Sequence, residues 1–155
     1  MRNTLQWIAA LGLATVWAIA GFAVFGPHKL PDRIPIHFDA AGQINGWGSP
    51  AMLWFLPVVA AGVYILLTLV SRRPCAFNYP VRVTPATRPR LEAMSLELIA
   101  WLRAELIWLF LFIEYATIRS ARLGRSALSP WTVLICIAVV FVTIGWHIAA
   151  MRRVK

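Results

Sequence analysis

The sequence predicts an all-α integral membrane protein, with four transmembrane helices and an ordered extracytoplasmic loop after the first. Three observations carry that prediction. The chain of 155 residues is 60% hydrophobic and 14% charged, against roughly half and a quarter in an average soluble domain. Its apolar residues gather into runs that reach the roughly 20 residues a spanning helix needs. Arg72, Arg73, Arg119, Arg122, Arg152 and Arg153 stand just beyond those runs, where arginines anchor helix ends and meet anionic lipid. The formal charge of +9 would also suit nucleic acid, but no motif for reading it accompanies the arginines. The lipid bilayer is the expected partner, and nucleic acid is not.

The chain reads as a single four-helix membrane domain over 1–155. Its first run, residues 5–25, carries no charge. Ala18-Ile19-Ala20 resembles a signal-peptide cleavage site, but the apolar stretch is long for that role. A signal anchor is the better reading. Within it Ala10, Ala14, Ala18 and Gly21 form a small-residue stripe suited to close helix packing. The second span, 51–70, is closed by Ser71-Arg72-Arg73, and the last, 131–150, by Met151-Arg152-Arg153. The third, 99–118, is less clean, because Arg103, Glu105 and Glu114 lie within it. Its helix should begin earlier, with Thr84 or Thr87 as N-cap and Pro85 or Pro89 in the first turn. The stretch 88–98 would then lie at the membrane surface.

Orientation follows the arginine and lysine balance. Arg2, the arginines of the 71–98 segment, and Arg152, Arg153 and Lys155 outweigh Lys29, Arg33, Arg119, Arg122 and Arg125 on the other side. Both termini and residues 71–98 are therefore expected in the cytoplasm, and the 27–50 loop outside. Cys75 sits in a basic loop and Cys136 inside an apolar run. No disulfide is expected between them.

The 27–50 loop is too long and too apolar for a mere connector. Ile34, Ile36 and Phe38 alternate with Pro35, His37 and Asp39, a strand pattern. Gly42, then Asn45-Gly46 and Gly48, supply turn chemistry. A short extended segment or hairpin should fold over the outer helix ends, with Trp47 near the headgroups. Residues 30–47, from Leu30-Pro31-Asp32 through Ile34-Pro35-Ile36-His37-Phe38-Asp39 and Gly42 to Trp47, resemble the signature loop of the DUF1648 family of bacterial membrane proteins. Pro57 also fits the family's habit of a proline early in the second span. Phe77-Asn78-Tyr79-Pro80-Val81, Thr84-Pro85 and Trp101 to Glu105 resemble some short members, so the likeness covers about residues 5–118. It implies a bacterial inner membrane location. The same domain opens the immunity and signalling proteins of the sporulation-delay toxin system, which carry additional spans.

Several side chains are candidates for chemistry. His37 and Asp39 would share one face of a strand, where Asp32 or His28 would be the third ligand of a metal site. A hydrogen-bonded pair fixing the loop is the favoured reading, and no metal is expected. Glu105 and Glu114 are costly in a bilayer unless paired, hydrated or protonated. At 100° per residue Arg103, Ile107, Phe110 and Glu114 share one helix face, and Glu105 lies on another with Trp101 and Trp108. Glu114, near the outer end, is expected in a structural pair reached by water or by Arg119, Arg122 or Arg125. Glu105 is equally open to a structural role and to a proton or substrate path. Trp7, Trp54 and Trp131 read as interface-belt residues, and Trp17, Trp108 and Trp146 as facing another helix or subunit. His147 has no second histidine at matching depth, so haem is not expected, and no cofactor is. No nucleophile–base pair or phosphate loop appears. These features suggest a non-enzymatic accessory or regulatory protein, of immunity or signalling type or a peripheral subunit of a larger complex. Its partners would be other membrane subunits or a second copy. The alternative is a small homo-oligomeric proton-linked transporter using Glu105.

Overall fold

The most polar of the long helices forms the centre of the bundle. The computed structural model describes residues 1–154, leaving Lys155 outside, and contains four long helices and a two-stranded hairpin. Helix α1 covers Arg2–Phe25, strands β1 and β2 cover Ile34–Phe38 and Ile44–Gly48, and α2 covers Phe55–Val70. Helix α3 runs unbroken over Arg88–Leu123, and α4 over Pro130–Arg152. A 3-10 turn, Pro50–Trp54, leads directly into α2. Three segments, Arg2–Phe25, Pro50–Val70 and Pro130–Arg152, are long and apolar enough to cross a membrane. Helix α3 is not among them, because of its charged residues, yet all the others pack on it.

Local chemistry sets the helix limits. At the end of α1, Gly26 N–H closes the last turn on the Phe22 carbonyl, and Pro27 cannot continue the ladder. Pro57 is tolerated in α2 because it falls in the first turn, where backbone N–H groups have no helical partner. Thr87 precedes α3 and Pro89 stands in its first turn, as the sequence suggests. The Thr87 side chain, however, bonds Thr84 instead of capping the helix. Gly124, with φ of 64°, ends α3 in the left-handed region. Ser129 caps α4 by accepting from Thr132 N–H at 3.3 Å, and Pro130 opens the first turn.

Four apolar clusters lie along α3 and show that neighbouring helices alternate in direction. Leu5 and Ala9 pack on Ala100 and Ala104, Val16 and Ala60 on Ile107, and Ala23, Ile34 and Leu53 on Ile118 and Ala121. Helix α1 is therefore parallel to α3, and α2 antiparallel. At the other end Leu91 packs on Met151 and Val154, flanked by Tyr79, Val81 and Val83. So 88–98 is the opening of α3 itself, clasped by the end of α4.

The small-residue stripe of α1 needs correcting. Ala14 and Ala18 are exposed, and the face turned to the bundle is Leu5, Ala9, Gly12, Val16, Ala20 and Ala23. Both faces are rich in small residues, so composition could not choose between them. The choice is made by the bulky side chains of α3, with Trp108 donating its ring N–H to the Ile8 carbonyl at 3.1 Å. Trp146 is also not packed on another helix of the chain; it is 71% exposed.

Candidate functional site

Residues 27–50 fold into an antiparallel hairpin seated on the ends of α1, α2 and α3. Its turn is built by Asp39. One carboxylate oxygen accepts from the N–H groups of Ala41 and Gln43, at 2.9 and 2.8 Å. Gly42 then takes a φ of 76°, a conformation in which a side chain is strained. A Cβ there would also meet the Leu128 carbonyl and Pro130 ring at 2.9 Å. The turn is thereby pressed against the α3–α4 connection, where the Ser126 hydroxyl donates to the Gly42 carbonyl.

Two sequence readings of this loop change. Asn45-Gly46 is not the turn; it lies within β2. Gly46 is required for a different reason, since a Cβ would come within 2.7 Å of the His37 Cβ across the ladder. Nor does β1 alternate cleanly. Pro35 is buried and Ile36 exposed, because the register slips on both sides of His37. Proline offers no N–H to the ladder, and such irregularities re-aim side chains.

His37 and Asp39 do not form a pair. His37 Nδ1 bonds the Asn45 side chain, while Asp39 holds the turn. Asp32 and His28 are exposed, and no cluster of three metal-ligating side chains occurs among the described residues. Pro31 and Trp47 are exposed, and Phe38 is half-buried.

Beneath the hairpin lies a cavity of about 260 Å³, between β1, the start of α2 and the part of α3 nearest the hairpin. Its walls are mainly apolar and include Ile34, Phe38, Leu53, Phe55 and Ile113. Pro35 and His37 of the signature loop also border it, as do Glu114 and Thr117 of α3. Glu114 is 1% exposed, and its Oε1 has no hydrogen-bond partner among the described residues. Its expected arginine partners do not reach it. Arg119, Arg122 and Arg125 are exposed, and the ion pair found among the described residues is Arg88–Glu92, at 3.6 Å. Glu114 is thus a buried acid facing a cavity, in no ion pair among the described residues, with His37 the basic side chain on the same cavity.

Glu105 differs. The Thr143 hydroxyl of α4 donates to its Oε1 at 2.6 Å, while Oε2 is buried without a partner. Arg103 turns instead to α2, donating to the Thr68 hydroxyl at 2.7 Å and lying 5.1 Å from the centroid of the Tyr64 ring. Sequence reasoning missed Thr68, Tyr64, Thr143 and Thr117. A signal existed for the first two: Tyr64 and Thr68 stand four apart in an otherwise apolar run and so face one neighbour. His147 Nδ1 bonds the Thr143 carbonyl one turn back, a contact local to α4.

Residues 12–61 match the family described as Domain of unknown function (DUF1648). The match takes in most of α1, the whole hairpin and the start of α2, and so includes every signature-loop residue. It stops short of the 77–105 stretch that the sequence likeness had included. No curated protein and no solved structure matches the chain.

Proposed function

We propose that this chain, whose residues 12–61 are a DUF1648 domain, is a non-enzymatic accessory or regulatory membrane protein that receives a partner group in the cavity under the hairpin. It inserts as four spans into a bacterial inner membrane, with both termini cytoplasmic and the hairpin outside. Helix α3 crosses as the fourth span because α1, α2 and α4 surround its polar residues, as charged side chains in membranes are kept to bundle interiors. At 36 residues and ~1.5 Å each it is about 54 Å long, well beyond the ~30 Å hydrocarbon core. Its opening turns therefore project on the cytoplasmic side.

The observation that carries the proposal is the unpartnered Glu114 carboxyl in its apolar cavity. One acid, one hydroxyl, the His37 imidazole and aromatic walls are recognition groups for an apolar ligand or side chain bearing a cation. The cavity is slightly smaller than the ~300–1,000 Å³ of ordinary ligand sites, which suits a single inserted side chain. An immunity- or signalling-type role and a peripheral-subunit role both use such a contact.

The test is purification from the native membrane in mild detergent, as wild type and as Glu114→Gln. A second membrane protein at fixed stoichiometry, lost from the variant, is the expected result. A chain recovered alone, as a homo-oligomer with proton-linked flux abolished by Glu105→Gln, would replace this reading with the transporter. The free Oε2 of Glu105 favours that alternative; its bond to Thr143 at a two-helix contact opposes it.

Topology has its own check in the native thiol of Cys75, which is exposed in the 71–98 segment. In a Cys136→Ser background an impermeant maleimide added outside should leave Cys75 unmodified and label a cysteine placed at Gln43. The opposite pattern inverts the orientation.

A further inference from the structure

The end of the bundle away from the hairpin holds a buried base. Arg103 is 3% exposed, and beyond its contacts to Thr68 and Tyr64 its Nε has no partner. A guanidinium does not lose its proton inside a protein. Its charge must therefore be met where it lies, and an unmet buried charge is strongly unfavourable. No carboxylate forms an ion pair with it among the described residues. Arg103 instead borders a cavity of about 220 Å³ with Arg2, Gln6, Ser71, Leu96 and Ile99, where the start of α1 and the end of α2 meet α3. The Ser71 hydroxyl is committed to the Thr68 carbonyl. The side chains on its lining that still carry donors are the Arg103 guanidinium, the Arg2 guanidinium and the Gln6 amide.

We propose that this cavity is an anion site that takes a phosphate-type oxyanion on Arg103, with Arg2 and Gln6 closing over it. Guanidinium donors match the oxygens of phosphate in both charge and geometry. The cavity lies at the tips of two apolar helices, the level at which lipid headgroups meet a spanning bundle. The phosphate can come from an anionic phospholipid or from solution. The competing account is that the carbonyl end of α2 and the Tyr64 ring compensate Arg103 with no ligand at all.

The experiment uses full-length protein in nanodiscs of neutral phosphatidylcholine. Thermal unfolding is followed with inorganic phosphate against chloride at matched ionic strength, and separately with phosphatidylglycerol added to the bilayer. Retained phospholipid phosphorus per chain is measured after detergent washing. Wild type should unfold at higher temperature with at least one of the two. Protection by lipid alone identifies a headgroup, and protection by phosphate alone a soluble ligand. Arg103→Met should weaken binding on the order of tenfold to a hundredfold, and Arg103→Lys, which keeps the charge but loses the planar fork, should weaken it less. Gln6→Trp plugs the cavity from an exposed position on α1 and leaves Arg103 in place, so it decides the matter if the Arg103 variants do not fold. A wild type indifferent to both sources, or a Gln6→Trp protein protected as well as wild type, overturns the proposal.

Discussion

Two levels of α3, eleven residues apart, bury opposite charges in opposite settings. Glu114 lies under the hairpin, facing an apolar cavity with one oxygen unbonded. Arg103 lies toward the chain termini, with a hydroxyl and an aromatic ring from α2 upon it and a largely polar cavity beside it. They share one face of the helix, since eleven residues at 100° return to within about 20°. At ~1.5 Å per residue they are also about 16 Å apart along the axis, far beyond ion-pair reach. A helical wheel shows which residues share a face and says nothing about which can touch. The acid and base that a wheel places together are two separate sites at different levels of the helix.

The sharpest way to break the comparison is to lift the hairpin off its end. Gly42→Val adds a β-branched side chain at a φ of 76°, against the Leu128 carbonyl and the Pro130 ring at 2.9 Å. Strain and overpacking together should cost about 2–4 kcal/mol, seen as lower folded yield and earlier unfolding in detergent. Gly46→Val should cost less, about 1–3 kcal/mol, because it meets the His37 Cβ at 2.7 Å but carries no positive-φ strain of the kind at Gly42. If both variants melt like wild type, the hairpin contributes nothing to the fold.

At the other end Arg103→Gln removes the cation–π contact and the bond to Thr68. A loss of about 1–2 kcal/mol is expected, larger in membranes containing anionic lipid than in neutral ones. Equal losses in both would leave Arg103 a packing residue and remove the polar contrast between the ends.

How much of this was legible follows the kind of information each feature needs. The three apolar spans, Pro89 in the first turn of α3, the ordered loop and the turn at Gly42 could be read, because local chemistry fixes them. What escaped depends on the neighbour. The packed face of α1 is chosen by Trp108 and Ile107 of α3, so the stripe at Ala14 and Ala18 looked equally suitable. Asn45-Gly46 reads as a turn in isolation, but the Asp39 side chain has already closed the chain at Gln43, two residues before Asn45. The Glu114 arginines were expected from proximity in sequence, whereas Arg119, Arg122 and Arg125 all turn outward.

Glu105 is an intermediate case, a carboxylate with one bonded and one unbonded oxygen. Glu105→Leu strands the Thr143 hydroxyl and should cost about 1 kcal/mol. Glu105→Gln keeps an acceptor for that hydroxyl and should cost less, about 0.5 kcal/mol. Parallel unfolding in one detergent separates the two. A Gln variant as damaged as Leu would mean that the fold needs the negative charge itself, which weakens the transport alternative, because a proton-carrying carboxylate must tolerate its neutral form.

The smallest expected effect is the most informative. If Glu114 awaits a partner that the isolated chain lacks, its carboxyl contributes nothing to the stability of that chain. Glu114→Gln keeps the volume and exchanges one unsatisfied polar group for another, so stability should stay within about 0.5 kcal/mol of wild type. Glu114→Leu should be neutral or stabilising, because replacing an unpaired buried polar group by an apolar one of similar shape removes a desolvation penalty. Binding should move the other way, with both variants failing to retain the partner that wild type carries through purification. The dissociation of the two readouts is what matters. A loss of about 1.5–3 kcal/mol in both variants would be the signature of a charged group already bonded within the fold, and Glu114 would then be a structural strut of the outer end. Unchanged stability with unchanged partner retention would place recognition elsewhere on the chain. Only a stable fold that no longer holds its partner fits a buried acid kept free for a cationic group.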